Sequence, residues 1–249
     1  MSSLNQIGHP FIELHTVDST NNYAMGLVHA GMAQHGTVVF SHEQTKGRGQ
    51  RNRKWVSEPR NNIALSVIIE PRGLSSSQLF LLSKTIATGT MNFFNNYAKS
   101  GTTIKWPNDI YWRDRKAGGI LIENVLQGNE WKYAVAGIGL NINQTQFTGL
   151  GNKAVSLKQI TGVDYHPLQL AKELCQFLEN QFQKFMKQPG SIAKEYQKNL
   201  YKLGETVKFK KGSRVFEARV KEVTDRGVLV VEHKVEERFD IGEVDWVLS

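Results

Sequence analysis

Between Gly47 and Trp55 the chain reads Gly-Arg-Gly-Gln-Arg-Asn-Arg-Lys-Trp, which carries Arg48, Arg51, Arg53 and Lys54 and no acid. Glycines and like charges disfavour a helix, and a strand would have little apolar face to bury. The stretch is expected to be a mobile loop whose missing counterpart is a polyanion, either a nucleic-acid backbone or the phosphates of a nucleotide. Gly47 and Gly49 let the backbone approach a ligand and offer N–H groups to an anion. The guanidinium groups can fork onto phosphate oxygens. No Gly-Lys-Ser/Thr ending is present, so this is not a Walker-type loop and a nucleotide would be held another way.

Three further clusters could do chemistry. Lys105-Trp106-Pro107-Asn108-Asp109 lies where a strand ends and Pro107 forces a turn, a place where Asn and Asp also occur for local reasons alone. Lys116, in Arg115-Lys116-Ala117-Gly118-Gly119-Ile120, stands at a strand start beside small residues. Such a lysine is usually just solvated, but facing a ligand its ammonium can neutralise a carboxylate or phosphate during reaction. Gly137-Ile138-Gly139-Leu140-Asn141-Ile142-Asn143 fails as a dinucleotide fingerprint, because no third glycine opens a helix. Its glycines instead keep a strand open to a ligand, with Asn141 or Asn143 directing an amide at it. Each cluster is weak alone; their order and spacing are not.

The elements that must position these residues can be read from periodicity. Asp18-Ser19-Thr20-Asn21 supplies N-cap candidates for a helix that Gly31 stops. Residues 38–40 form a short buried strand feeding the basic loop, and 63–69 form a second. Residues 79–97 make a long helix. Strands at 103–106, 119–126 and 131–140 follow, the last two an antiparallel hairpin turned at Gly128-Asn129. Helices at 167–186 and 191–201 are separated by Pro189-Gly190. Beyond Leu203 short alternating runs and turn signals at Lys211-Gly212, Asp225-Arg226-Gly227 and Ile241-Gly242 suggest a small β-barrel of about fifty residues. The expected architecture is therefore α+β: a mixed sheet with flanking helices over residues 1–202, then a compact all-β tail over 203–249.

At 249 residues the chain can bury one large core and a small second unit. No apolar run approaches the length of a bilayer span, and the N-terminus lacks a secretion signal's layout. The single cysteine, Cys175, excludes an internal disulfide and a Cys-rich zinc site, and its neighbours Leu174, Phe177 and Leu178 make it a small core residue. The expected compartment is reduced and cytoplasmic, with no membrane partner. The net charge of +8 lies wholly upstream of Tyr201, where the basic loop is. A nucleic-acid-binding protein is the rival reading. The cations form one short cluster without interleaved stacking aromatics, which argues against it.

Taken in order, Asp18-Ser19-Thr20-Asn21, the Gly-Arg-Gly loop ending Arg-Lys-Trp, Lys-Trp-Pro-Asn-Asp, Arg-Lys-x-x-Gly-Ile-Leu-Ile-Glu and Gly-Ile-Gly-Leu-Asn-Ile-Asn resemble the biotin protein ligases, from about residue 10 to the C-terminus. The resemblance implies a catalytic domain related to class II tRNA synthetases, followed by a small Src-homology-type barrel. It implies two half-reactions: biotin and Mg2+-bound ATP give biotinyl-5′-AMP, and a lysine of a biotin carboxyl carrier protein, such as that of acetyl-CoA carboxylase, then takes the biotinyl group. By motif, Ser19, Thr20, Asn21, Gln44, Arg48, Gly49, Gln50 and Lys116 would contact biotin. Gly47, Arg51, Arg53, Trp55, Asn108 and Asn141 would face the nucleotide, Lys116 and Arg48 would be catalytic, and Asp109 would neighbour the magnesium ion. Family loops often carry Arg where this chain has Gln50, and Gly where it has Asn52; the first change removes a charge that would hold the adenylate. Some members begin with a DNA-reading module. Here the signature starts within the first twenty residues, so sequence-specific DNA binding is not expected. Monomer and homodimer are both compatible. The nearer rival is lipoate ligation on the same fold, against which the basic loop and Lys-Trp-Pro-Asn-Asp argue.

Overall fold

The computed structural model describes residues 5–71, 74–128, 130–149 and 151–247. Seven strands build the main sheet: β1 (Phe11–Val17), β2 (Val38–Gln44), β3 (Asn62–Ile69), β4 (Thr102–Lys105), β5 (Asp109–Trp112), β6 (Arg115–Gln127) and β7 (Glu130–Asn141). Their order is β1-β2-β3-β7-β6-β5-β4. Only β1 and β2 run parallel, joined by helix α1 (Thr20–His29) as a parallel pair requires a crossover.

Strand alternation divides the two faces. Val38, Phe40, Ile63, Leu65, Val67 and Ile69 enter one large core, whereas Val39 and Ile68 pack with Ala24 of α1 on the other side. The large core is covered by α2 (Leu79–Ala98), α4 (Pro167–Lys187) and α5 (Pro189–Lys198), with the short α3 (Leu157–Thr161) entering through a Ser156–Gln159 capping box. Cys175 is buried there, as expected, and burial pushes its thiol up to about 12. No helix among the described residues is long and apolar enough to cross a membrane.

The mixed sheet, its flanking helices and the β6–β7 hairpin match the sequence expectation, although Asn129 of the expected turn lies outside the described residues. Two strands of the main sheet escaped it. In β1, Glu13, His15 and Thr16 interrupt the apolar run, and β5 is a four-residue piece directly behind the Pro107 turn. Pro189 opens α5 rather than preceding it, since a first-turn proline loses no helical hydrogen bond.

The tail corrects the expectation of a closed barrel. Strands β8 (Thr206–Lys211), β9 (Arg214–Val223), β10 (Leu229–Glu232), β11 (Glu236–Phe239) and β12 (Asp245–Val247) form an open five-stranded sheet ordered β11-β10-β9-β8-β12. Closure would require β11 and β12 to pair with each other, and they stand at opposite edges. The apolar face is covered from outside instead: Phe209, Val220, Val223, Leu229 and Phe239 belong to the same continuous core as the helices. Polar contacts fix the docking. Trp106 Nε1 donates to Gly227 O at 2.8 Å, and the buried ammonium of Lys84 on α2 reaches Asp225 Oδ1 at 2.9 Å and Val223 O at 3.1 Å.

Gly227 is where this docking is tightest. Its φ is +86°, and a Cβ there would stand 2.5 Å from Phe80 Cδ2. Gly227→Ala is expected to cost roughly 1–3 kcal/mol through backbone strain and overpacking. Urea denaturation reads this as a lower midpoint at unchanged slope; an unchanged midpoint would show that the tail does not need this contact.

Candidate functional site

The face of the sheet that carries α1 also carries the polar residues. Ser19 caps α1 in extended conformation, and Ser19, Thr20 and Asn21 are all buried at its N-terminus. The Thr20 backbone N–H and Oγ1 donate to Gln44 Oε1 at 2.8 and 3.1 Å. Ser66 Oγ of β3 lies 2.8 Å from Thr20 Oγ1 and 2.6 Å from Asn21 Oδ1. Asn21 Nδ2 donates to Glu123 Oε2 at 2.9 Å, and Arg48 forks onto the same carboxylate with its Nη1 at 3.2 Å and Nη2 at 2.9 Å. Burying Thr20, Asn21 and Ser66 together is tolerable because each finds a partner.

Next to this network, β6 and β7 are bare. Gly119 and Gly139 face each other in register, and Gly137 lies two residues along. A Cβ at Gly137 would meet Asn21 Oδ1 at 2.2 Å, and one at Gly139 would meet the Trp55 indole at 2.5 Å. A Cβ at Gly119 would stand 3.3 Å from Asp109 Oδ1 and 3.4 Å from Lys116 Nζ. The three glycines thus form a strip that raises no side chain of its own, so that Asn21 and Trp55 close directly onto the backbone. Asn21 bounds one end, the Lys116–Asp109 ion pair of 2.6 Å bounds the other, and Trp55 lies over the middle.

The basic segment is a narrow hairpin. Arg48 and Lys54 bridge, Gly49 N donates to Arg53 O at 2.7 Å, Trp55 N donates to Gly47 O at 3.0 Å, and residues Gln50–Asn52 make a 3-10 turn at the tip. The Gly49 N–H, read from sequence as an anion donor, is therefore spent inside the hairpin. Gly47 serves close approach, since a Cβ would meet Trp55 O at 2.4 Å. Arg48 and Trp55 reach the strip, Arg51 reaches the tail, and Gln50 lines a cavity of about 550 Å³ together with Asn108, Phe80 and Ile241.

At the far end of the strip, Lys105 joins the cluster. Its Nζ donates to Tyr111 Oη at 3.3 Å and lies over the rings of Tyr111 and Trp246. Burial pushes the ammonium down from its ordinary 10.5 to about 8; Asp109 opposes this, while Lys116 and Arg53 reinforce it. Asp109, the expected magnesium neighbour, has Oδ1 on Lys116, and the described residues contain no group of three or more His, Cys, Asp or Glu placed to hold a metal ion. The amide of Asn141 is committed to Lys116 O and Val155 O, and that of Asn143 to Tyr165 O. Asn108 caps the edge of β6 by donating to Ile120 O.

Sequence reasoning missed three members of this site. Ser66 could have been found as the one hydroxyl inside the apolar run of β3, and Glu123 as the acid that ends the Gly-Ile-Leu-Ile-Glu motif. Lys105 gave no signal beyond its motif, since its environment is made by Trp246, far away in sequence.

Fold and strip together define a class: an α+β protein whose mixed sheet carries a glycine strip flanked by Asn21, Trp55 and the Lys116–Asp109 pair. The chain belongs to the biotin/lipoate A/B protein ligase family, whose model matches residues 14–141. It is 28% identical over 232 residues to the bifunctional ligase/repressor BirA of Bacillus spizizenii, covering 91% of this chain and 70% of that protein. It is 33% identical over 127 residues to the biotin–[acetyl-CoA-carboxylase] ligase of Paracoccus denitrificans, covering 50% of this chain and 51% of that protein. In fold it matches the biotin protein ligase from Aquifex aeolicus in complex with biotin and ATP, at a TM-score of 0.79 and 23% identity over 96% of this chain and 99% of that one.

The lowered Lys105 ammonium has a consequence for stability. Between about 8 and 10.5 the unfolded chain holds a proton that the folded chain has lost, so stability rises with pH across that window. Lys105→Met removes this slope. Urea melts at pH 7.5 and pH 10 are expected to show wild type gaining on the variant as pH rises; parallel behaviour would contradict the burial of this charge.

Proposed function

We propose that this protein is an ATP-dependent biotin–protein ligase acting on a lysine of a biotin carboxyl carrier domain. The observation that supports this most is the glycine strip with the Lys116–Asp109 pair at its end, in a chain of the biotin/lipoate ligase family. The fused rings and chain of biotin would lie beside the glycine strip, with Ser19, Thr20, Asn21 and Gln44 as hydrogen-bonding partners and the carboxylate toward Lys116. Arg48, Gly49 and Gln50 would border the ligand from the hairpin. Arg53, Trp55 and Asn108 would face the nucleotide.

In the first step a biotin carboxylate oxygen attacks the α-phosphorus of ATP, the bond to the β-phosphate oxygen breaks, and pyrophosphate leaves. In the second step the acceptor lysine nitrogen attacks the acyl carbon, the bond to the phosphate oxygen breaks, AMP leaves and the nitrogen gives up a proton. Lys116 offsets charge on the carboxylate and α-phosphate, and Arg48 holds the hairpin over the anhydride to exclude water. Magnesium in this reading would enter with ATP as its counter-ion and would offset the phosphate charge. Relatives named biotin–[acetyl-CoA-carboxylase] ligase are among those the chain matches in sequence, which favours biotin over lipoate.

Lys116→Ala is expected to lose on the order of 3 kcal/mol of transition-state stabilisation. Biotin-dependent pyrophosphate release from ATP measures it, and a wild-type rate in the variant would remove Lys116 from the mechanism. Release supported by lipoate and not by biotin would reverse the choice of substrate.

A further inference from the structure

The basic hairpin is anchored at its base by the sheet and at its tip by the tail. At the base, Arg48 forks onto Glu123 and donates to Asn22 Oδ1 at 2.8 Å, while Trp55 lies on Gly139. At the tip, Arg51 takes a left-handed backbone with φ of +55° and carries its guanidinium to Gly242, in the connection between β11 and β12. A Cβ built on Gly242 would stand 1.4 Å from Arg51 Nη2 and 2.3 Å from Cζ, and the φ of Gly242 is +102°. The positive φ favours glycine there, and the missing side chain leaves the space that the exposed Arg51 guanidinium takes. Gln50 beside Arg51, and Ile241 beside Gly242, line the same cavity with Arg226 of the β9–β10 turn.

We propose that the C-terminal sheet is the latch of the basic hairpin, with Gly242 the seat in which Arg51 lies, so that Arg51 and Gly242 are positioning residues that hold the hairpin over the cleft. Arg51 then serves the reaction through the tail rather than through a phosphate. The tail is in turn held by Lys84–Asp225 and Trp106–Gly227, so the seat is fixed relative to the strip by the same contacts that dock β8 to β12. Its consequence for catalysis rests on the ligase reading: a hairpin that lifts from its seat lets the acyl-adenylate escape or hydrolyse.

Hydrogen exchange of the hairpin amides in the full-length protein without ligands tests the latch independently of activity. The amides of Gly49 and Trp55 are paired within the hairpin and report its opening. Arg51→Ala and Gly242→Ala are each expected to speed their exchange by roughly tenfold, and the double variant no further than either single, because both remove one shared contact. Arg51 is itself exposed, so Arg51→Ala keeps the test decisive should Gly242→Ala disturb the tail. Unchanged exchange in Arg51→Ala, or effects that multiply in the double variant, would overturn the latch. The second readout is loss of biotinyl-adenylate in the same variants, expected to quicken in step with exchange while affinity for biotin alone is kept. Faster exchange with unaltered adenylate loss would confine the latch to conformation and refute its part in the reaction. Failure of wild type to form any adenylate would defeat the ligase reading and leave the exchange result to judge the latch.

Discussion

On the cleft face of β6 and β7, no side chain can rise from Gly137 or Gly139 without striking Asn21 or Trp55, and one at Gly119 would press on Asp109 and Lys116. The site is organised around this close approach of polar groups to bare backbone. Asn21 can be buried because Gly137 leaves room for its carbonyl oxygen and Ser66 and Glu123 complete its bonding. Trp55 can lie flat because Gly139 offers nothing to lift it. The basic hairpin can therefore sit close to the sheet, and its two glycines keep its own strands narrow enough to do so.

Charge is distributed with the same economy. Arg48 is matched by Glu123 and Lys116 by Asp109, whereas Lys105 donates to the neutral Tyr111 hydroxyl. The cationic end of the strip thus keeps an excess of positive charge once its ion pairs are formed. Burial beneath Trp246 makes that excess costly until an anion arrives, which is the condition under which a polar cleft binds rather than merely exists. The tail sheet contributes to this arrangement by covering Lys105 and by receiving the hairpin tip.

Much of this was legible in the sequence because the signals are local. The helical spacing of α2, the apolar run of β3, the Gly-Ile-Gly strand and the basic loop are all carried by neighbouring residues. What was not legible depends on partners distant along the chain. Glu123 joins Asn21 across 102 residues and Arg48 across 75, and Lys105 is covered by Trp246 from the far end of the chain. The open tail sheet belongs to the same kind: short alternating runs do read as strands, but whether they close on themselves depends on what else covers their apolar face, and here Phe80 and the helices do. The Gly49 N–H was assigned outward because its hairpin partner, Arg53 O, could not be seen from composition.

The most direct measurement of the central claim is calorimetric titration of biotin into wild type and Gly137→Ala, with circular dichroism to verify the fold. A side chain at position 137 would displace the Asn21 carbonyl from the strip, so the account expects affinity to fall by roughly a hundredfold or more, about 3 kcal/mol, in a protein that remains folded. Wild-type affinity in a folded Gly137→Ala protein would contradict it, because the seating of Asn21 on bare backbone would then not shape the ligand site.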